Sequence, residues 1–297
     1  MNSELFDYNP LMSTTLLTRL GKLFPGASKT TLRDMVTRKR VRLNGILVRS
    51  VNEPVADGDK IEVADTGDVP TETQTLHDGL RLIHFDGDII IVDKPAGLLT
   101  STDAQEKRPT AWRILQDHFR KQNQRNHVHL IHRLDRDASG LLIFARTWEA
   151  LAALKKQFFE HTITRSYDVV VHGLPRKPKD RLEHLLLEDP TGVVNVTKDM
   201  KNGKLAILDY QVLEASKEKG IARLRCTLYT GRKHQIRVQL KALGHAVCGD
   251  AVYGKADEPP HRLALHAARL SLKHPRTGKT VSFESPMPGA MAHLFHM

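Results

Sequence analysis

The stretch His127–Arg146, HVHLIHRLDRDASGLLIFAR, packs three histidines, two arginines and two aspartates ahead of an apolar run that closes on a third arginine. Three chemistries compete for it. His127, His129 and His132 nearly reproduce the H-x-H-x-D-H spacing of binuclear metal hydrolases, but the oxygen ligand is replaced by Ile131. Ser139 before Gly140 invites comparison with a nucleophilic serine on a sharp turn. The first glycine of G-x-S-x-G is missing, however, so Ser139-Gly140 reads as a turn into the LLIFA strand. The third reading starts from Asp135, with Arg133 two residues before it and Arg136 directly after. In an extended chain Arg133 and Asp135 share a face, and a nearby guanidinium favours an ionised carboxylate. Such a carboxylate serves as nucleophile or base, or simply as one half of an ion pair holding a loop.

Outward from this stretch, the large region opens with LRLIHFDGDIIIVDKPAGLLTS, two strand-like runs joined at Asp86-Gly87. Pro109 starts a helix whose Ala111, Ile114, Leu115 and Phe119 share a face. A second helix runs from Thr147, with Leu151, Leu154 and Phe158 inward. TRSYDVVVHG and several later segments are strand-like, so strands outnumber helices and the region reads as α+β with a mixed, mainly antiparallel sheet. Residues 65–78, rich in Thr and Asp, have the composition of a linker. The expected organisation is a small unit at 1–64, the linker 65–78 and a large domain at 79–297.

In the small unit, Ser28 caps a helix continuing KTTLRDMV, with Leu32, Met35 and Val36 on one face. The Asn44-Gly45 turn then pairs Leu43 with Ile46 and Val41 with Val48. That leaves Arg40, Arg42 and Arg49 on the opposite face. Seven cations (Lys29, Arg33, Arg38, Lys39, Arg40, Arg42 and Arg49) stand against one acid, Asp34, between Ser28 and Ser50. A solvated surface normally mixes signs, so this segregation points to phosphate contacts. The whole chain of 297 residues carries a formal charge of +11, which favours polyanionic partners. Its two cysteines, Cys226 and Cys248, suggest neither a disulfide framework nor a zinc site. The start MNSELFDYNPLMSTT has no apolar signal-like run, and no apolar run is long enough to span a bilayer. A cytoplasmic location is expected, with no membrane partner.

The combination of motifs resembles the RluA-type pseudouridine synthases. HRLDRDASG looks like that family's active-site motif, DKPAGLLT its first motif and RSYDVVVHG its tyrosine strand. LYTGRKHQIRVQLKALGHAVCGDAVYG resembles its C-terminal motif, followed by LALHAARLSLKHPRTG. These lie in the family's order over about residues 80–290. Ala138, Lys233 and Ala246 stand where the family usually has threonine, threonine and proline. The segment over roughly residues 12–64 resembles the small S-four-like RNA-binding domain. The resemblance implies a cofactor-independent isomerase acting on structured RNA, with ribosomal RNA favoured and transfer RNA as the alternative, and a monomeric chain. It implies Asp135 as the catalytic aspartate, Arg237 as its partner and Tyr167 as the active-site tyrosine. Arg133 would engage RNA during base flipping, and Lys94, Arg232 and Gln235 would bind RNA or shape the pocket. Lys29, Arg33, Arg40, Arg42 and Arg49 would dock RNA, and no metal is expected. The rival reading is a non-catalytic RNA-binding or assembly protein of the same fold.

Overall fold

A computed structural model describes residues 14–37, 40–48, 50–63, 74–102, 108–121, 127–255 and 258–296. The chain divides into two compact units, Met1–Pro70 and Thr71–Met297. In the first, β1 (Thr14–Thr15) pairs with β4 (Pro54–Val55), and α1 (Leu16–Leu23) and α2 (Lys29–Thr37) follow β1 in the chain. Strands β2 (Val41–Leu43), β3 (Ile46–Leu47) and β5 (Ile61–Val63) form a three-stranded sheet in the order β3-β2-β5. The Ser28 Oγ accepts from the Thr31 N–H at 3.1 Å, so the helix begins where its cap places it. Asn44 and Gly45 both have positive φ, the requirement of a two-residue hairpin turn. Leu16, Leu20, Leu32, Val36, Val41, Val48 and Val55 form the core.

Two expectations for this unit change. Ile46 is 74% exposed although Leu43, its partner across the turn, is half-buried. Arg42 does not lie on a purely cationic face. Strand β5 brings Glu62 directly opposite it, and the Arg42 guanidinium curls back to donate to the Gly45 carbonyl at 2.8 Å. Glu62 is twenty residues away in sequence, beyond the window in which the charges looked one-sided. Arg49, Arg38 and Lys39 lie outside the described residues.

The second unit contains β6 (Gln74–Thr75), β7 (Arg81–Phe85), β8 (Ile89–Lys94), α3 (Ala111–Lys121), β9 (His129–Leu130), β10 (Ser139–Ala145) and α4 (Trp148–Phe159). It continues with β11 (Thr164–His172), β12 (Lys179–Glu188), β13 (Val194–Thr197), β14 (Lys204–Ser216) and β15 (Ile221–Leu228). It ends with α5 (Gln235–Ala242), β16 (Leu265–Lys273), β17 (Thr280–Glu284) and α6 (Gly289–His296). Strand β6 and the turn His77–Gly79 give structure to the end of the stretch expected as linker. One sheet runs β13-β12-β14-β15-β11-β16-β10-β8-β7-β6, with β17 on β16 and β9 on β10. Its described pairs are antiparallel except β10 with β16.

Both faces of the sheet are covered around β8 and β10. Ile90, Val92, Leu142 and Phe144 pack with Leu115 and Phe119 of α3. The alternate residues Ile89, Ile91, Leu141 and Ile143 pack with Ala150, Leu151 and Leu154 of α4. Burial on both faces is why these strands read as continuous apolar runs rather than alternating ones.

Candidate active site

Asp135 lies in the irregular segment between β9 and β10, and buried polar contacts fix that segment on either side of it. The Lys94 Nζ, at the end of β8, donates to the carbonyls of Pro95 (2.9 Å), Leu98 (2.8 Å), Arg136 (3.0 Å) and Ala138 (2.6 Å). Lys94 is 0% exposed, so of its two expected roles, binding RNA or shaping the pocket, its contacts fit the second. Burial pulls its pKa down to about 7 against the opposing charges of Asp135 and Asp137. Thr100 adds a second tie, its Oγ1 donating to the Leu134 carbonyl at 2.9 Å and accepting from the Leu134 N–H at 3.1 Å.

Beyond the segment, Gly140 passes β16 so closely that an added Cβ would sit 2.3 Å from the Ala267 carbonyl oxygen. Its φ of +112° is also one that side chains rarely allow. Ser139, before it, is buried. Its Oγ sits 2.8 Å from His266 Nδ1 and accepts from Arg262 at 2.7 Å. A serine enclosed in this way has no opening to a substrate. His266 continues the chain of contacts to the Ser285 Oγ at 3.1 Å, which donates to Asp93 at 2.6 Å.

Arg237 reaches Asp135 from α5. Its Nη1 donates to the Asp135 carboxylate at 3.1 Å, while Nε and Nη2 hold Asp250 at 2.7 and 2.8 Å. Asp250 also accepts the N–H groups of Val252 and Tyr253, both at 3.0 Å. The Tyr253 ring lies 5.0 Å from the guanidinium. Its hydroxyl meets His234 Nδ1 at 2.9 Å and accepts from the Val194 N–H at 2.9 Å. Burial alone would raise the Asp250 pKa, but the Arg237 bonds and the backbone donors outweigh it and hold the carboxyl below its usual range. Burial likewise works to lower the pKa of Arg237, and the pairing with Asp250 and Asp135 reverses the sign. The guanidinium is thus permanently charged, with one edge locked and the other offered to Asp135.

Tyr167 stands on β11, where pairing with β16 shifts register between Ser166 and Tyr167, an irregularity of the kind that re-aims a side chain. Burial holds its phenol above the ordinary pKa, with Arg165 opposing and Asp135 adding. It is a neutral hydroxyl at neutral pH. Arg165 lies over the Phe158 ring at 5.1 Å and donates to the Thr230 carbonyl at 3.3 Å.

Arg133, Asp135, Tyr167, Arg232, Gln235 and Arg237 all line one cleft of about 1370 Å³. That exceeds the usual range of small-molecule sites, roughly 300–1,000 Å³, and suits a polymeric substrate. Arg133 is exposed and makes no ion pair among the described residues, so Arg237 rather than Arg133 is the guanidinium on Asp135. The segment is a loop rather than a strand, so the two-residue alternation does not apply. Arg136 pairs with Asp137 at 2.9 Å. Arg232 is exposed, with its Nε on the Leu205 carbonyl at 2.9 Å. Gln235 is buried, its Oε1 accepting from Thr230 Oγ1 (2.7 Å) and the Arg232 N–H (3.0 Å), which makes it a loop brace. Lys233 pairs with Glu188 at 2.6 Å and donates to the Gly192 carbonyl at 2.8 Å. Lys29 and Arg33 are exposed on α2, and Arg40 is half-buried, all in the first unit.

The three opening histidines pack against rings. His129 lies 4.2 Å from Trp148 and 5.8 Å from His127, and His132 lies 5.1 Å from Phe158. Among the described residues, ligand atoms close enough for one ion occur at Asp86, Asp88 and His274. Those groups are already engaged. Arg276 holds Asp88 through two bonds of 2.7 and 2.8 Å, and Asp86 accepts from His84, His274 and two backbone N–H groups. The cluster ties the β7–β8 turn to the loop after β16. Sequence reasoning missed Asp250, His234, Tyr253 and Arg165. All four lie inside the quoted motifs, Arg165 in RSYDVVVHG, His234 in GRKHQIR, and Asp250 and Tyr253 in CGDAVYG, but the motifs do not record which of these side chains meet.

Residues 88–242 match the profile described as RNA pseudouridylate synthase. Ribosomal large subunit pseudouridine synthase D of Nitrosomonas europaea is 34% identical over 292 residues, covering 93% of this chain and 81% of that protein. The uncharacterized RNA pseudouridine synthase YlyB of Bacillus subtilis is 33% identical, covering 90% and 88%. Among solved structures, human RNA pseudouridylate synthase domain containing 4 superposes with a TM-score of 0.61 at 20% identity, over 72% of this chain and 91% of the other. The fold is that of the pseudouridine synthases. The chain belongs to the RNA pseudouridylate synthase family and is an enzyme of that kind.

Proposed function

We propose that this enzyme converts uridines of large-subunit ribosomal RNA to pseudouridine, with Asp135 as the catalytic carboxylate. The observation that carries the reading is Asp135 itself, half-buried in the cleft, held at 3.1 Å by an arginine that Asp250 locks from behind. The relatives named for the ribosomal large subunit favour that RNA over transfer RNA. In the reaction the bond from ribose to uracil N1 breaks, the base turns, and a bond to carbon-5 forms as the carbon-5 proton leaves and N1 takes up a proton. No redox partner or added group is required. Asp135 attacks or assists at the sugar or base, and Arg237 orients it. Tyr167 supplies a ring to stack on uracil and a neutral hydroxyl. The base must leave its stack to reach them, and Arg133, exposed in the cleft, engages the RNA during flipping. The first unit, S-four-like by resemblance, docks the RNA through Lys29, Arg33, Arg40, Arg42 and Arg49. The enzyme acts in the cytoplasm as a monomer.

Asp135→Asn tests the assignment. The substitution keeps size and hydrogen-bonding reach but removes the charge and the nucleophilic oxygen. Tritium release from carbon-5-labelled uridine in ribosomal RNA should vanish, while melting temperature and RNA affinity stay near wild type. Near-normal tritium release would remove Asp135 from the mechanism. Mapping pseudouridine in ribosomal RNA from cells with and without the gene identifies the target. An unchanged map would end the ribosomal assignment.

A further inference from the structure

Helix α4 carries an aromatic stripe that neither the core nor the catalytic groups use. Trp148, Ala152, Lys155 and Phe159 follow at spacings of four, three and four, which places them on one face. The opposite face, Ala150, Leu151 and Leu154, is the one buried against the sheet. Trp148 is 68% exposed and Phe159 85% exposed. Two large aromatic side chains left in water on one helix face mark a surface that is covered by something else.

The stripe leads into the catalytic cleft. Lys155 and Phe159 line the same cleft as Asp135 and Tyr167. At its far end Trp148 is backed by the His129 ring at 4.2 Å, which limits its freedom and makes it a firm platform. Burial, then the charges of His127 and Lys155, keep that imidazole below its ordinary pKa. Lys156 is paired with Glu160 at 3.7 Å, whereas Lys155 makes no ion pair among the described residues. Aromatic faces interleaved with an unneutralised cation are the means by which proteins hold single-stranded nucleic acid. A duplex hides its base faces and offers such a surface little.

We propose that this face of α4 binds the unpaired RNA strand adjoining the target uridine, with bases stacked on Phe159 and Trp148 and a phosphate on Lys155. This rests on the RNA-modifying reading above and adds to it a preference for targets flanked by single-stranded nucleotides. From Trp148 to Phe159 the helix rises about 16 Å, long enough for a strand to run along it over several nucleotides. The chain's net charge of +11 and continuity with the cleft favour RNA over an acidic protein partner.

The test uses the full chain, the double variant Trp148→Ala/Phe159→Ala, and two RNAs. One is a short oligouridylate, the other a fully paired duplex of the same length. Both substituted side chains point to solvent, so thermal unfolding should show a fold like that of the wild type. Wild-type protein should bind the oligouridylate with quenching of indole emission. The double variant should bind it about 5- to 100-fold more weakly for each base that no longer stacks, with duplex affinity changing far less. The single variant Trp148→Ala should lose the quenching. Equal loss for both RNAs, or unchanged oligouridylate affinity in the double variant, would overturn the proposal and leave the stripe to a protein partner. Isomerisation of unmodified ribosomal RNA by the wild type, run alongside, separates the two failures. If it is absent, the functional reading falls and takes this inference with it. If it is present with unchanged binding, only the stripe is wrongly assigned.

Discussion

A single guanidinium sets the geometry of this site. Arg237 meets two carboxylates at once, and the one behind it, Asp250, is the more deeply buried. Removing one partner of a buried pair leaves the other charge unsatisfied, so Asp250→Ala should cost about 3–5 kcal/mol. Urea unfolding measures that, and single-turnover isomerisation by the remaining folded enzyme should fall by more than tenfold. Wild-type turnover in Asp250→Ala would mean that Arg237 needs no anchor. Lys94 is a second residue whose burial decides its role. In Lys94→Met four carbonyls lose their donor, which should cost about 3 kcal/mol or more. RNA affinity below the lowered melting temperature should persist, whereas a phosphate contact would disappear with the charge. Asp135, Tyr167 and Arg237, which line one cleft, each sit in a motif that stands out in the sequence. Asp250, His234 and Tyr253 matter through contacts across the fold, which no local pattern records. The pairing of Arg133 with Asp135 failed for a local reason, since alternation presumes a strand and the segment is a loop.

At the scale of elements, β10 positions the Asp135 loop because Gly140 lets it lie against β16. Gly140→Ala would put a Cβ 2.3 Å from a backbone oxygen that cannot move independently. A loss of about 3 kcal/mol or more is expected, read as a drop in melting temperature or as insoluble protein. The cap of α4 is a milder case. Thr147 Oγ1 accepts from the Ala150 N–H at 3.1 Å, and Thr147→Ala should cost about 1 kcal/mol. Helices α3 and α4 were legible from their one-sided apolar faces, although α3 begins at Ala111, behind a Thr110 cap on the Arg113 N–H, rather than at Pro109. Helix α5 was not, because all of Gln235–Leu240 is buried and no polar face marks the period. The loop before β10 also carries an acid-sensitive group. Burial, and next the Arg165 charge, hold the His132 pKa down to about 3, with its Nε2 accepting from the Ile143 N–H at 3.3 Å. Below pH 6.5 the unfolded chain takes up a proton that the folded chain refuses. Stability is therefore complete above that pH and falls as pH drops toward 3, by about 2 kcal/mol at pH 5. His132→Gln keeps an acceptor and removes the titration, so its urea midpoint should change less than that of the wild type between pH 7 and 5. An equal change in both proteins would place the acid sensitivity elsewhere.

For the molecule as a whole, charge governs how RNA arrives. The excess of +11 gives a long-range attraction to RNA that salt screens. The cations of the first unit differ in what they have to offer. Lys29 and Arg33 are exposed on α2, whereas Arg42 faces Glu62 across the sheet and is bonded to the Gly45 carbonyl. Each phosphate that the protein ceases to neutralise should reduce the slope of log affinity against log salt by about one. Lys29→Ala/Arg33→Ala should therefore reduce it by about two, and adding Arg42→Ala should reduce it by less than one more. Affinity for structured ribosomal RNA across a salt series measures this, with single-turnover isomerisation at saturating RNA recorded in parallel. The isomerisation rate should change much less than the affinity, because no residue of the cleft is altered. An unchanged slope in the triple variant would transfer RNA docking to the cations of the second unit. A decrease of a full unit on adding Arg42→Ala would show that RNA competes its guanidinium away from Gly45 and Glu62.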